Sequence, residues 1–257
     1  MFHSQSVFTT NKLLPRYLTY EVVNRLGIRM NTKKRIREPK VYQGRYFHDI
    51  KLNKKREYYE PYLIKSKELL DYVTSEHNRV LSFSLILRFP QDFKQDRDVS
   101  YISKFIRVFQ RKVALTLEER KKRKARVHHI KKGNKVFNIW CRERDSSNND
   151  HYHMFILLSY ENFRTLGHYS TSHEPEKSLA ILLQEAWSDA LGISYCDMKG
   201  LVQFPPKNNH FRVVQNRPDT KSNYDDLLFR MCYLAKRETK NFGEGIRSFG
   251  CSRIGRG

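Results

Sequence analysis

His151 and His153 flank a tyrosine at the head of an apolar run, residues 154–158. Side chains alternate along a strand, so a strand that opens His151-Tyr152-His153 carries both imidazoles on one face. Two imidazoles side by side at the rim of a central strand suit a borderline metal better than they suit a core. A third ligand is expected from the preceding strand. With a polar loop over residues 144–150, Glu143 falls directly opposite His151 and on the same face. Asp145 keeps that parity and stands in reserve; Asp150 is less favoured. Two imidazoles and one carboxylate leave positions open for water or a phosphate oxygen, as catalysis requires. Cys141 shares the face of Glu143, so zinc is an open reading. An H-x-H pair alone also fits two hydrogen-bonded histidines.

A nucleophile is expected near the C-terminus. Tyr233 is followed by Lys236, Arg237 and Lys240. The apolar spacing predicts a helix capped by Ser222 and running to about Lys240. At about 100° per residue, Leu227, Leu228, Met231, Cys232, Leu234 and Ala235 form the buried arc. Tyr233 falls about 240° from Leu227, off that arc and among the three cations, whereas Tyr224 faces the arc. A tyrosine hydroxyl is a weak nucleophile at neutral pH, and nearby cations both activate it and stabilise charge developing on a phosphate. Lys236, one turn on, is placed for both tasks. Taken alone, Tyr-x-x-Lys equally fits an amphipathic helix with a solvated tyrosine.

These residues need elements to carry them. The chain predicts a helix over 58–73, a strand over 80–89 and a helix over 99–117. Strands over 136–141 and 152–158 follow, then a helix over 176–191 stopped by Gly192, and a strand over 200–204 stopped by Pro205-Pro206. From residue 80 onward the order is strand, helix, strand, strand, helix, strand. That is the βαββαβ order of an α+β, ferredoxin-like (RRM-like) fold, an antiparallel central sheet with helices on one face. Residues 1–55, with the run Lys33-Lys34-Arg35-Ile36-Arg37, read as a basic arm or extension. Residues 56–257 read as one domain.

Charge narrows the partners. The 257 residues hold 49 Lys and Arg against 27 Asp and Glu, a net +22, which points to a polyanion. Residues 118–135 are rich in Lys and Arg. Lys121, Lys122, Arg123 and Lys124 there are candidate phosphate contacts, and so are Arg237 and Lys240; the alternative for the run is a solvated helix end. No stretch approaches the ~20 apolar residues of a membrane span. The N-terminus lacks the basic start and apolar run of a secretory signal. The four cysteines form no C-x-x-C pair. Together these features predict a cytoplasmic protein with reduced thiols, no membrane partner and no small-molecule substrate.

His-Tyr-His on a strand, followed about eighty residues later by Tyr233-Leu-Ala-Lys236, resembles the HUH endonuclease superfamily. More closely, Ile139-Trp-Cys-Arg-Glu-Arg144, His151-Tyr-His-Met-Phe155, Gln184-Glu-Ala-Trp187, Lys199-Gly-Leu-Val-Gln-Phe-Pro205, Tyr233-Leu-Ala-Lys-Arg-Glu-Thr-Lys240 and Phe249-Gly-Cys-Ser-Arg253 resemble the gene-two-type replication proteins of inoviruses (filamentous phages and prophages). The resemblance covers about residues 45–253. It implies an HUH sheet, a divalent cation (Mg²⁺ or Mn²⁺) on His151 and His153, and Tyr233 as nucleophile with Lys236 as its motif partner. It also implies nicking and rejoining of single-stranded DNA at a rolling-circle origin in a bacterial host, through a 5′-phosphotyrosine. The positions four before and four after Tyr233 are Phe229 and Arg237, so the two-tyrosine pattern of some members is absent. No P-loop motif is present, so a host helicase and polymerase are the expected partners. Two alternatives remain: a single-strand transposase or mobilisation enzyme of the same chemistry, and a nuclease-dead DNA-binding regulator.

Overall fold

A computed structural model describes residues 38–96, 99–123, 135–144, 149–168, 177–205, 210–240, 242 and 246–255, without the Arg123 side chain. The basic run at 33–37, Lys124 and Asp145 lie outside the described residues. Four two-residue strands come first: β1 (Val41–Tyr42), β2 (Tyr46–Phe47), β3 (Ile50–Lys51) and β4 (Tyr58–Tyr59). β1 pairs with β4 and β2 with β3, both antiparallel. Helix α1 (Glu60–Glu76) carries Pro61 in its first turn, where the missing N–H costs no helical bond. Next come β5 (Arg79–Arg88), α2 (Tyr101–Arg123), β6 (Phe137–Glu143) and β7 (His151–Ser159). Helix α3 (Leu179–Leu191) is capped at Ser178, whose side chain accepts from Ile181 N, and it ends at Gly192 with φ 73°. β8 (Val202–Gln203), β9 (His210–Val214), α4 (Thr220–Cys232) and β10 (Phe249–Cys251) complete the order.

The main sheet runs β10-β6-β7-β5, and β8 and β9 share the far edge of β5. Each of its ladders is antiparallel. The protein is therefore α+β, with four helices and an antiparallel sheet among the described residues. Inside the edge strand β10, and taking β8 with β9 as one edge, the four strands from β5 onward stand second, third, first, fourth across the sheet.

Strand alternation sorts the core into two. On one face Leu81, Phe83, Leu85 and Leu87 of β5 meet Tyr152, Met154, Ile156 and Leu158 of β7 beneath α2 and α3. On the other face Ile139 and Cys141 of β6 and Phe155 and Leu157 of β7 lie against α1 and α4. The expectation of helices on one face is corrected here. β7 is apolar on both faces, and both faces must be covered. Phe47, Ile50 and Leu52 join the second core, so the folded body extends N-terminal of residue 56, to Glu38 among the described residues. None of the described helices is long and apolar enough to cross a membrane.

Candidate active site

The antiparallel register of β6 and β7 sets Glu143 opposite His151 and Cys141 opposite His153. Glu143, His151 and His153 thereby share one face, with one ligand atom each inside a 4.8 Å circle. His153 Nε2 lies 3.4 Å from Glu143 Oε2. Glu143 and His151 are buried, whereas the His153 side chain keeps 21% of its surface open. Asp150 is taken up elsewhere, accepting from Arg142 and Arg144 at 2.8 Å each. Cys141 Sγ donates to Glu143 Oε1 at 3.4 Å. Burial pushes that thiol up to about 12.

Tyr233 comes from the helical layer above. Helix α4 starts at Thr220 after Asp219, so its cap lies three residues earlier than the expected Ser222, and it ends at Cys232 rather than near Lys240. Tyr233–Ala235 form one tight turn, and Lys236 is extended, with φ −56° and ψ 141°. The reason is tertiary. Lys236 bridges to Tyr58 of β4, and Arg237 N donates to Glu57 O at 2.8 Å. Past Cys232 the helical wheel no longer applies.

That departure folds the two lysines back over the sheet. Lys236 Nζ donates to Tyr233 Oη at 2.6 Å and lies 3.0 Å from Glu143 Oε2. Lys240, whose side chain is fully buried, holds Glu143 Oε1 at 2.7 Å. The Tyr233 ring is 5.7 Å from that of His153, and the Arg56 guanidinium covers it at 4.9 Å. Burial raises the Glu143 carboxyl, but Lys240, His153 and Lys236 outweigh it and hold the group at about 2. Burial lowers His153 to about 4 against the pull of Glu143, helped by His151, Lys236 and Lys240. Lys236 is raised in spite of its burial by its bonds to Tyr233 and Glu143. At neutral pH the cluster is a carboxylate, a neutral imidazole at His153 and an ammonium on the tyrosine. A carboxylate and a neutral imidazole, with a second imidazole beside them, fit a divalent cation that takes oxygen and nitrogen ligands.

The expected DNA contacts fare differently. Lys240 faces Glu143 inside the protein rather than the surface. Arg237 forks between Glu38 and Glu57 at 2.8 Å each, away from Tyr233. Lys121 and Lys122 are exposed at the end of α2. Arg120 next to them reaches Asn162 O, past the end of β7 opposite to the histidines. Tyr224 donates to Asp71 and takes no part in the cluster. Arg56 was not anticipated, because an isolated arginine so far from Tyr233 in sequence carries no signal.

A model of the YagK/YfjJ C-terminal domain family matches residues 43–252, a span that holds the whole cluster. The uncharacterized protein YagK of Escherichia coli K12 is 31% identical over 197 residues, 75% of this chain and 92% of its own. The uncharacterized protein YfjJ of the same strain is 33% identical over 114 residues, 44% of this chain and 53% of its own. No solved structure matches.

Proposed function

The chain belongs to the YagK/YfjJ C-terminal domain family, and we propose from its site that it is a metal-dependent tyrosine endonuclease that nicks and rejoins single-stranded DNA to start rolling-circle replication of phage or prophage DNA. One observation carries the reading: Tyr233 and Lys236, from the segment that leaves α4, meet Glu143, His151 and His153 on the sheet. The strand order and antiparallel ladders support a ferredoxin-like HUH fold for this domain. The motifs shared with inovirus replication proteins supply the substrate class.

His151, His153 and Glu143 would hold Mg²⁺ or Mn²⁺. When bound there, the cation supplies Lewis-acid stabilisation of the charged phosphate oxygens. Tyr233 Oη attacks phosphorus in line. The Oη–P bond forms as the P–O3′ bond breaks, and the proton lost from the phenol is balanced by one gained at the departing 3′ oxygen. Lys236 fixes the hydroxyl at 2.6 Å and puts a positive charge where negative charge develops. The products are a 5′-phosphotyrosyl strand and a 3′ hydroxyl for host polymerase and helicase to extend, and the reverse attack rejoins ends.

The test is incubation with circular single-stranded DNA and Mn²⁺, followed by a denaturing gel. A covalent adduct on Tyr233, lost with EDTA, is expected. DNA binding with no adduct under any divalent metal would sink the proposal and leave a DNA-binding regulator. Joined ends that map to mobile-element termini rather than a replication origin would mark a transposase or mobilisation enzyme.

A further inference from the structure

Beside Tyr233 the sheet opens into a pocket of about 410 Å³ that the chemistry above leaves unused. That size falls within the range of small-molecule sites, about 300–1,000 Å³. Its floor is small for a reason visible in the strand. On the face toward α2 and α3, β5 presents Leu81, Phe83, Leu85 and Leu87, but on this face it presents Ser82, Ser84 and Ile86, with Ser84 opposite Phe155. A branched aliphatic side chain at 84 would fill the space. At the mouth Phe229 keeps 43% of its surface in water, an unusual place for a large apolar ring. Arg56 and Arg230 also line the pocket, and none of its lining residues among those described is acidic. An apolar floor, an exposed ring and a cationic rim match a flat heterocycle flanked by phosphates.

We propose that this pocket takes one unstacked base of the strand being cut, and that Ser84 and Phe229 determine which bases it accepts. The proposal rests on the nicking reading for the base's identity: it is that of the nucleotide that stays joined to Tyr233. In an in-line displacement the departing 3′ oxygen lies opposite Oη, so the retained nucleoside extends to the side. Tyr233 and His153 are themselves walls of the pocket, one phosphate away from that nucleoside. Base stacking on Phe229 holds the base, more strongly the larger its ring system, and the depth over Ser84 sets the size that fits.

The experiment uses circular single-stranded DNA of random sequence with Mn²⁺, and sequences the ends joined to the protein. The parent is expected to show a base preference at the first joined nucleotide. Ser84→Leu should shift that preference toward pyrimidines, and Phe229→Ala, a change at an exposed position, should weaken it about tenfold, the scale of one lost stack. Identical base distributions at that nucleotide for all three proteins would overturn the proposal while leaving nicking intact. A second arm needs no cleavage: short oligonucleotides carrying 5-iododeoxyuridine are irradiated with the protein and the crosslinks mapped. Crosslinks to the Phe229–Tyr233 peptide that Ser84→Leu reduces would keep the pocket even if no adduct forms. Crosslinks that map elsewhere and ignore both substitutions would remove it.

Discussion

Replacing Lys240 by methionine removes an ammonium from a carboxylate with almost no access to water. Glu143 is 2% exposed, and Lys240 Nζ lies 2.7 Å from its Oε1. Breaking a buried pair by deleting one partner costs about 3–5 kcal/mol. Lys236 remains 3.0 Å from Oε2, which puts Lys240→Met at the lower end, about 3 kcal/mol. For a chain of this size each kcal/mol lowers Tm by about 2–4 °C, so the expected fall is about 6–12 °C. The pH dependence gives a second signature. Glu143 is held at about 2 against an ordinary 4.5, so its folded-state stabilisation is present above 4.5 and is lost as pH falls through about 2. Lys240 is the strongest of the attractions that lower it. Without it the carboxyl is held down less strongly, and the variant should lose this stabilisation at higher pH than the parent. Thermal melts from pH 7 down to pH 3, on the parent, Lys240→Met, Glu143→Gln and the double variant, measure both effects. An unchanged Tm for Lys240→Met at pH 7, or the same loss in the Glu143→Gln background, would refute the buried contact.

Tyr233→Phe removes one oxygen and keeps the ring between Arg56 and His153; its fold should survive and its covalent adduct should vanish, so mass spectrometry finding the nucleotide on another residue overturns the assignment. His151→Ala and His153→Ala should each abolish cleavage and calorimetric Mn²⁺ binding while sparing DNA affinity, and EDTA should mimic both; cleavage by either variant in metal-free buffer contradicts the cation site. His153 is lowered to about 4 from 6.5, so the folded state binds fewer protons than the unfolded one across that window and stability falls as pH drops from 6.5 to 4. An imidazole NMR titration with a midpoint near 6.5 would count against it. Lys121→Ala with Lys122→Ala should flatten the slope of log affinity against log salt by up to ~0.7 per lost phosphate contact on single strands; an identical slope makes that helix end a solvated surface.

The grouping of Glu143, His151 and His153 is legible in the sequence because strand alternation is rigid. Once the loop was placed at residues 144–150, period two left Glu143 opposite His151, as the register has it. The strands and helices between β5 and β8 were legible from periodicity and stops such as Gly192 and Pro205. What failed was tertiary. Lys236, Arg237, Glu238 and Lys240 are sound helix formers with no Gly or Pro among them, yet pairing with Tyr58 and Glu57 pulls them out of the helix. Arg237 and Lys240 consequently face partners that a helical wheel cannot indicate. The covering of the second face was missed because Phe47, Ile50 and Leu52 sit in a polar, weakly periodic segment. β9 and β10 are short edges of five and three residues, below what alternation resolves.

The cluster is divided between two layers of the fold. Glu143, His151 and His153 belong to central strands, paired on both sides and unable to move without opening the sheet. Tyr233 belongs to the outer layer, and the bonds that span the divide beside it include the two ammonium contacts of Lys236 and Lys240 with one carboxylate and the bond that Arg144 N donates to Thr239 O at 3.1 Å. These contacts act as a latch. Any perturbation that lifts the outer layer by an ångström or two separates Tyr233 from Glu143, His151 and His153, so loss of the latch should silence the proposed chemistry before it unfolds the protein.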